Sequence, residues 1–170
     1  MADVVTLTPF ERAQHLIKEW VERGDPNAEL FLSQLGLTEL PPLPSNLTKL
    51  YCIDNQLTSL HSLPQGLTLL YCHHNRLTEL PSLPHGLKEL ACDNNQLTKL
   101  PSLPQSLRML LCYNNQLTEL PLLPQSLTQL LCIDNHIQYP PPEVMERPLG
   151  EIKEWMSKNS LNFVKSADKR

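Results

Sequence analysis

Aromatic residues are scarce in this chain. They make up 5% of its 170 residues while hydrophobic residues make up 41%, so any core must be assembled from aliphatic side chains. Glycine is scarcer than proline, 5 against 16, and no glycine-rich phosphate loop, paired-acid arrangement or nucleophile elbow is present. No run of Lys or Arg is long enough to track a phosphate backbone. With a formal net charge of −4 and a pI of about 5.8, nucleic acid is not an expected partner. The segment Met1 to Phe10 lacks the basic start and apolar core of a secretory signal, and no stretch approaches the roughly 20 apolar residues of a membrane span. These absences point to a soluble chain made in the cytosol, with Asn46-Leu47-Thr48 a sequon in form only. The length suits one domain with a core but not a binding domain joined to a full catalytic one.

What is present is a repeat. From Leu47 onward the sequence recurs every 20 residues, a period that marks a solenoid. Leu47, Leu67, Leu87, Leu107 and Leu127 are in register, as are Leu50, Leu70, Leu90, Leu110 and Leu130. The same spacing holds for Cys52, Cys72, Cys92, Cys112 and Cys132, then for Asn55, Asn75, Asn95, Asn115 and Asn135, then for Leu57, Leu77, Leu97, Leu117 and Ile137. Leu-x-Cys alternates inward and outward, so each unit contains a short strand with leucine and cysteine in the core, and stacked units form a parallel sheet. Cysteines arranged one per repeat, odd in number, are expected to be reduced thiols rather than a disulfide framework. The asparagine sits where the chain leaves the strand, and its amide is suited to satisfy the backbone of the turn. Leu63-Pro64, Leu83-Pro84, Leu103-Pro104 and Leu123-Pro124 lie on the return path. Proline there favours extended geometry and leaves no room for a convex helix of several turns.

The flanks read differently. Thr8-Pro9-Phe10-Glu11 is a capping box with proline at the first helical position, and Phe10, Ala13, Leu16, Ile17, Trp20 and Val21 form an apolar stripe on a helix ending near Gly24. Leu30 to Leu40 fits the repeat register, with Leu32 in place of the cysteine and Leu35 in place of the asparagine. Pro140-Pro141-Pro142 stops the repeat, and Leu149, Ile152, Trp155 and Met156 make a second helical stripe, beneath which Leu161, Phe163 and Val164 are expected to pack. The expected organisation is a capping helix over residues 1–26, repeats over 27–141 (a degenerate first repeat over 27–46, regular ones from 47), and a helical cap and loose tail over 142–170. The helices cover the open ends of the leucine core.

The unit Leu-Pro-x-Leu-Pro-x-x-Leu-x-x-Leu-x-Cys-x-x-Asn-x-Leu-Thr-x-Leu resembles the short leucine-rich repeats of secreted bacterial effectors of the Yersinia outer protein M and invasion-plasmid-antigen H types, over roughly residues 10 to 140. The resemblance implies a leucine-rich-repeat solenoid with parallel strands on a concave face, a proline-rich convex side and helical caps at both ends. It also implies a virulence-associated protein-binding role, with export into a host cell as an alternative to a cytoplasmic location. Some members carry a ubiquitin-ligase domain with a catalytic Cys-x-Asp motif. Cys52-Ile53-Asp54 and Cys132-Ile133-Asp134 read Cys-x-Asp here, but both thiols fall at inward positions, where an aliphatic core raises the thiol pKa and denies access. Cys72-His73-His74 has metal-ligand types, but strand alternation points Cys72 inward and His73 outward, while His61 and His85 lie on another surface. No enzyme activity, cofactor or metal is expected.

Function is therefore sought on the outward strand positions, which the core does not require. Tyr51, Ile53, Leu69 and Tyr71 form one apolar group, and Met109, Leu111, Tyr113, Leu131 and Ile133 a larger one. Between them Glu89, Ala91 and Asp93, flanked by His73, form a polar middle. Large apolar patches mark interaction sites, so the expected partner is a protein: a host target, or another bacterial effector, with occlusion of an enzyme's active site as a concrete mechanism. Three other readings stand beside this one. The tyrosines, leucines and isoleucines could serve strand propensity alone; the chain could be a substrate-recruiting relic of a ubiquitin ligase; or it could self-assemble through the same face.

Overall fold

The structure, a computed structural model, describes residues 7–25 and 27–167, with side chains described as far as residue 159. In chain order it runs α1 (Pro9–Arg23), β1 (Leu30–Phe31), β2 (Lys49–Tyr51), β3 (Leu69–Tyr71), β4 (Glu89–Ala91), β5 (Met109–Leu111), β6 (Gln129–Leu131), α2 (Pro142–Met145) and α3 (Leu149–Ala167). The strands make one sheet in chain order, all pairs parallel, with each residue opposite the one 20 positions on, as Leu50 is opposite Leu70. Strands of three residues have little stability alone. They persist because every turn stacks its leucines on the next: Leu50, Leu70, Leu90 and Leu110 are completely buried, with Cys52, Cys72, Cys92 and Cys112 beside them.

The asparagine ladder is the second stacking device. Asn75 Oδ1 accepts from the Leu57 backbone N–H at 3.0 Å, while its Nδ2 donates to Cys52 O at 2.9 Å and Cys72 O at 3.0 Å. The same geometry recurs at Asn55, Asn95, Asn115 and Asn135, so each amide joins two turns, and all but the half-buried Asn135 are themselves buried where they satisfy the backbone. The residue before each asparagine has left-handed backbone, with φ between 50° and 54° at Asp54, His74, Asn94, Asn114 and Asp134. Asn and Asp tolerate that conformation best among residues with side chains, which explains the composition of this position, a feature unread in the sequence.

The return segments are extended and turn-like, with no helix between α1 and α2 among the described residues. The Thr8 hydroxyl accepts from the Glu11 N–H at 3.2 Å, and the Glu11 carboxylate accepts from the Thr8 N–H at 2.8 Å, completing the capping box. Gly24 closes α1 in left-handed conformation with φ 68°. Ala13 and Trp20 are buried against the first turn, and the Trp20 indole N–H donates to Ala28 O at 3.0 Å. Val21, assigned to the buried stripe from its spacing, is instead exposed, because the contact made by α1 is narrower than its apolar stripe. At the other end Val144, Ile152 and Met156 are buried and Trp155 packs on Tyr139 at a ring distance of 5.7 Å. The side chains of Leu161, Phe163 and Val164 lie outside the described residues, as do residues 168–170 of the tail.

Candidate functional site: the concave sheet face

The parallel register lines outward positions into rows. In the row after the central leucine stand Phe31, Tyr51, Tyr71, Ala91, Leu111 and Leu131. Phe31 stacks on Tyr51 at 4.7 Å, Tyr51 meets Tyr71 edge-on at 5.2 Å, and Tyr71 is followed by His73 at 6.2 Å. Side chains on adjacent parallel strands have to touch at this spacing, and offset or edge-to-face aromatic contacts add attraction beyond burial. The result is an aromatic run over the first three strands.

Carboxylates hold that run in place. The Tyr51 hydroxyl donates to Glu29 at 3.2 Å and the Tyr71 hydroxyl to Glu89 at 2.8 Å, and Lys49 Nζ lies 3.5 Å from Glu29. Desolvation, then the hydrogen bond to Glu89 and its negative charge, push the Tyr71 phenol up to about 12; the same causes, with Glu29 as partner, raise Tyr51. Both phenols are neutral donors throughout the physiological range.

The middle of the face is not the polar surface that the sequence pattern implies. Asp93 is 2% exposed, accepts from Asn94 Nδ2 at 2.8 Å and is hydrogen-bonded by the Tyr113 phenol, which its charge helps to raise. Asp93 is therefore withdrawn from the surface and orients Tyr113. Ala91 is buried too, since the larger neighbours Tyr71 and Leu111 flank it in the row. Glu89 and His73, both half-buried, are what remains of the polar middle. His73 Nδ1 is buried with no hydrogen-bond partner, and burial lowers the imidazole pKa against the opposing pull of Asp93.

Of the two apolar groups, Tyr51, Ile53, Leu69 and Tyr71 come together with an addition that sequence reasoning missed. Phe31 is exposed and extends the row by one strand; the signal was available, because Leu30-Phe31-Leu32 places it in the Tyr51 position. In the second group Met109, Leu111 and Tyr113 are half-buried, while Leu131 and Ile133 are exposed, Ile133 by 61%.

The thiols are placed behind this face. Cys52 is fully buried and desolvation pushes it up to about 12; Cys72 and Cys92 are raised well above the ordinary thiol value by burial and neighbouring charge. Cys132, at the end of the stack, is half-buried and raised to about 11. A protonated thiol sealed in leucine is a poor nucleophile and a poor metal ligand, and Cys72 and His73 sit on opposite sides of the strand layer.

Among solved structures the chain is similar to the leucine-rich-repeat domain of a Shigella effector, with 40% identity and a TM-score of 0.72, over 77% of this chain and 60% of that one. It is similar to YopM from Yersinia enterocolitica, with 36% identity and a TM-score of 0.72, over 80% of this chain and 31% of that one. It also resembles YopM, a leucine-rich effector protein from Yersinia pestis, with 39% identity and a TM-score of 0.70, over 75% of this chain and 36% of that one. The chain thus spans less than two thirds of the length of each. No protein-family model and no curated protein sequence matches it.

Proposed function

The chain is a leucine-rich-repeat domain of the short bacterial effector type, and from that premise we propose that it is a non-catalytic module that grips a partner protein in its concave face. The observation that carries this reading is the run Phe31–Tyr51–Tyr71, continued by Leu111, Leu131 and Ile133, on a surface whose side chains the leucine core does not need. Tyrosine and phenylalanine offer large contact areas at small entropic cost, and the carboxylate bonds of Tyr51 and Tyr71 lower that cost further by fixing the rings before a partner arrives. Six strands about 4.8 Å apart span roughly 24 Å, compatible with about 800 Å² of contact per partner.

A curved surface of this size suits a convex partner, and covering an enzyme's active-site cleft is a mechanism by which such binding inhibits. The partner is a host protein or another effector of the same bacterium, which places the module's action either in a host cell after export or in the bacterial cytoplasm. The test is a pull-down from bacterial and host-cell lysates, with the Tyr71→Ala/Leu111→Ala/Tyr113→Ala variant beside the unaltered chain. A partner retained by the unaltered chain and lost by the folded variant supports the reading; equal capture by both removes the concave face as the site. Because the inward thiols are protonated at neutral pH, no ubiquitin transfer is expected in an in vitro assay, and transfer that depends on Cys52 or Cys132 would overturn the non-catalytic reading.

A further inference from the structure

The two ends of the solenoid are finished differently. In each interior turn the positions corresponding to 48, 50 and 52 face the following turn: Thr48 O accepts from Leu69 N–H at 3.2 Å, and Cys52 N–H donates to Tyr71 O at 2.9 Å. Further on, Asp54 and Asn55 donate to His73 O and His74 O. On β6 the equivalent groups have no following turn, and among the described residues the N–H groups of Cys132, Asp134 and Asn135 find no acceptor. The side chains report the same opening. Leu130 and Cys132 are half-buried where their equivalents on β5 are fully buried, and Leu131 and Ile133 are exposed.

Among the described residues the hydrogen bonds of the C-terminal cap go to the return half of the last turn, while Pro142, Met145 and Glu146 of α2 and its end line an open hollow with residues 132–135. Ser106 Oγ donates to His85 O and Leu87 O of the turn before it. Two turns on, Lys153 Nζ of α3 does the same for Gln125 O at 3.0 Å and Leu127 O at 2.9 Å. Thus α3 replaces the missing turn along the return path, and among the described residues no hydrogen bond from it reaches β6. An open strand edge is a template for another strand.

We propose that β6 is a dimerisation edge, on which a second copy of this chain pairs antiparallel about a two-fold axis through Leu130. The edge is complementary to itself. Leu130 turns both its N–H and its C=O outward, so the two copies exchange these bonds reciprocally, as antiparallel pairs do. Cys132 N–H then faces Thr128 O of the second copy. The Thr128 N–H is engaged backward, to Arg108 O, and the Cys132 carbonyl already accepts from Asn135 Nδ2 at 3.1 Å, so this pair leaves neither group wanting. Charge agrees with the register: Asp134 falls opposite Ser126 of the second copy, beside the carbonyls that Lys153 occupies, which brings carboxylate and ammonium together. Leu131 falls opposite Gln129 on the concave side and loses exposure. The concave faces of both copies lie on one side of the joined sheet, making a single surface twice as long.

The experiment is sedimentation velocity of the full chain over a rising concentration series, with two variants. Cys132→Pro removes an edge N–H that no internal bond uses, and its circular dichroism checks that the solenoid remains. Gln129→Cys/Leu131→Cys reads the register under mild oxidation, against Lys49→Cys/Tyr51→Cys on the interior strand β2. The expected result is a monomer–dimer equilibrium for the unaltered chain, a monomer for Cys132→Pro, and a covalent dimer for the β6 cysteine pair alone. A chain that stays monomeric at every concentration overturns the proposal. So does a dimer that persists undiminished in folded Cys132→Pro, or one in which the β6 pair fails to cross-link.

Discussion

At the scale of single residues, the molecule depends on side chains that do backbone work. Asn75 joins two turns through a bond to Leu57 N–H and bonds to Cys52 O and Cys72 O, and Ala there leaves these buried groups unpaired. Since an unsatisfied buried group costs about 1–3 kcal/mol, Asn75→Ala is expected to destabilise by roughly 3 kcal/mol, read as a fall in urea midpoint at constant slope. The cysteine ladder makes a pH prediction. A free thiol ionises near 9.0, whereas Cys52 in the folded chain does so at about 12, so the folded state holds these protons more tightly than the unfolded one. The stabilisation is complete below pH 9 and is lost as pH rises toward 12, where the unfolded chain ionises first. Thermal midpoints measured from pH 8 upward should therefore fall, and replacing Cys52, Cys72 and Cys92 by Ala should flatten that fall. The asparagine and cysteine roles were legible in the sequence because five occurrences in register leave no other explanation. The role of Asp93 was not, because strand alternation gives the direction of a side chain but not whether its neighbours Asn94 and Tyr113 enclose it.

At the scale of elements, the three-residue strands depend on their neighbours while α1 carries its own signals. Its capping box, first-turn proline and terminal Gly24 were all readable locally, since each acts through groups three or four residues away. Its docking was only half readable. The stripe spacing includes Val21, yet the surface under α1 accepts Ala13 and Trp20 and leaves Val21 in water. Trp20→Ala should cost about 3–5 kcal/mol through the cavity left in the end of the core, together with its bond to Ala28 O, whereas Val21→Ala should fall within about 0.5 kcal/mol of the unaltered chain; paired denaturation curves decide. Likewise, nothing in the spacing of Leu149, Ile152, Trp155 and Met156 foretold that Lys153, on the same helix, stands in for the serine of a further turn. That substitution exists only once the helix is laid across the end of the stack.

At the scale of the whole molecule, a solenoid is a one-dimensional stack in which a residue's worth depends on its place along the axis. Leu90 and Leu130 hold the same position in the repeat, but Leu90 is completely buried between turns and Leu130 is half-buried at the open edge. Leu90→Ala should cost about 3–5 kcal/mol and Leu130→Ala clearly less; equal losses in urea denaturation would mean that the edge is covered in solution, as dimerisation through β6 requires at high concentration. The repeat, its register, the inward leucine and cysteine rows and the helical flanks followed from the sequence by itself, because a fixed period forces identical neighbours above and below every residue. The surface of the concave face was decided by the tertiary structure. Phe31 joins the aromatic run, Asp93 and Ala91 withdraw from it, and Leu131 and Ile133 project beyond it. The physical reason is that exposure depends on the sizes of side chains on adjacent strands and on which turn is last, and neither is a property of one repeat.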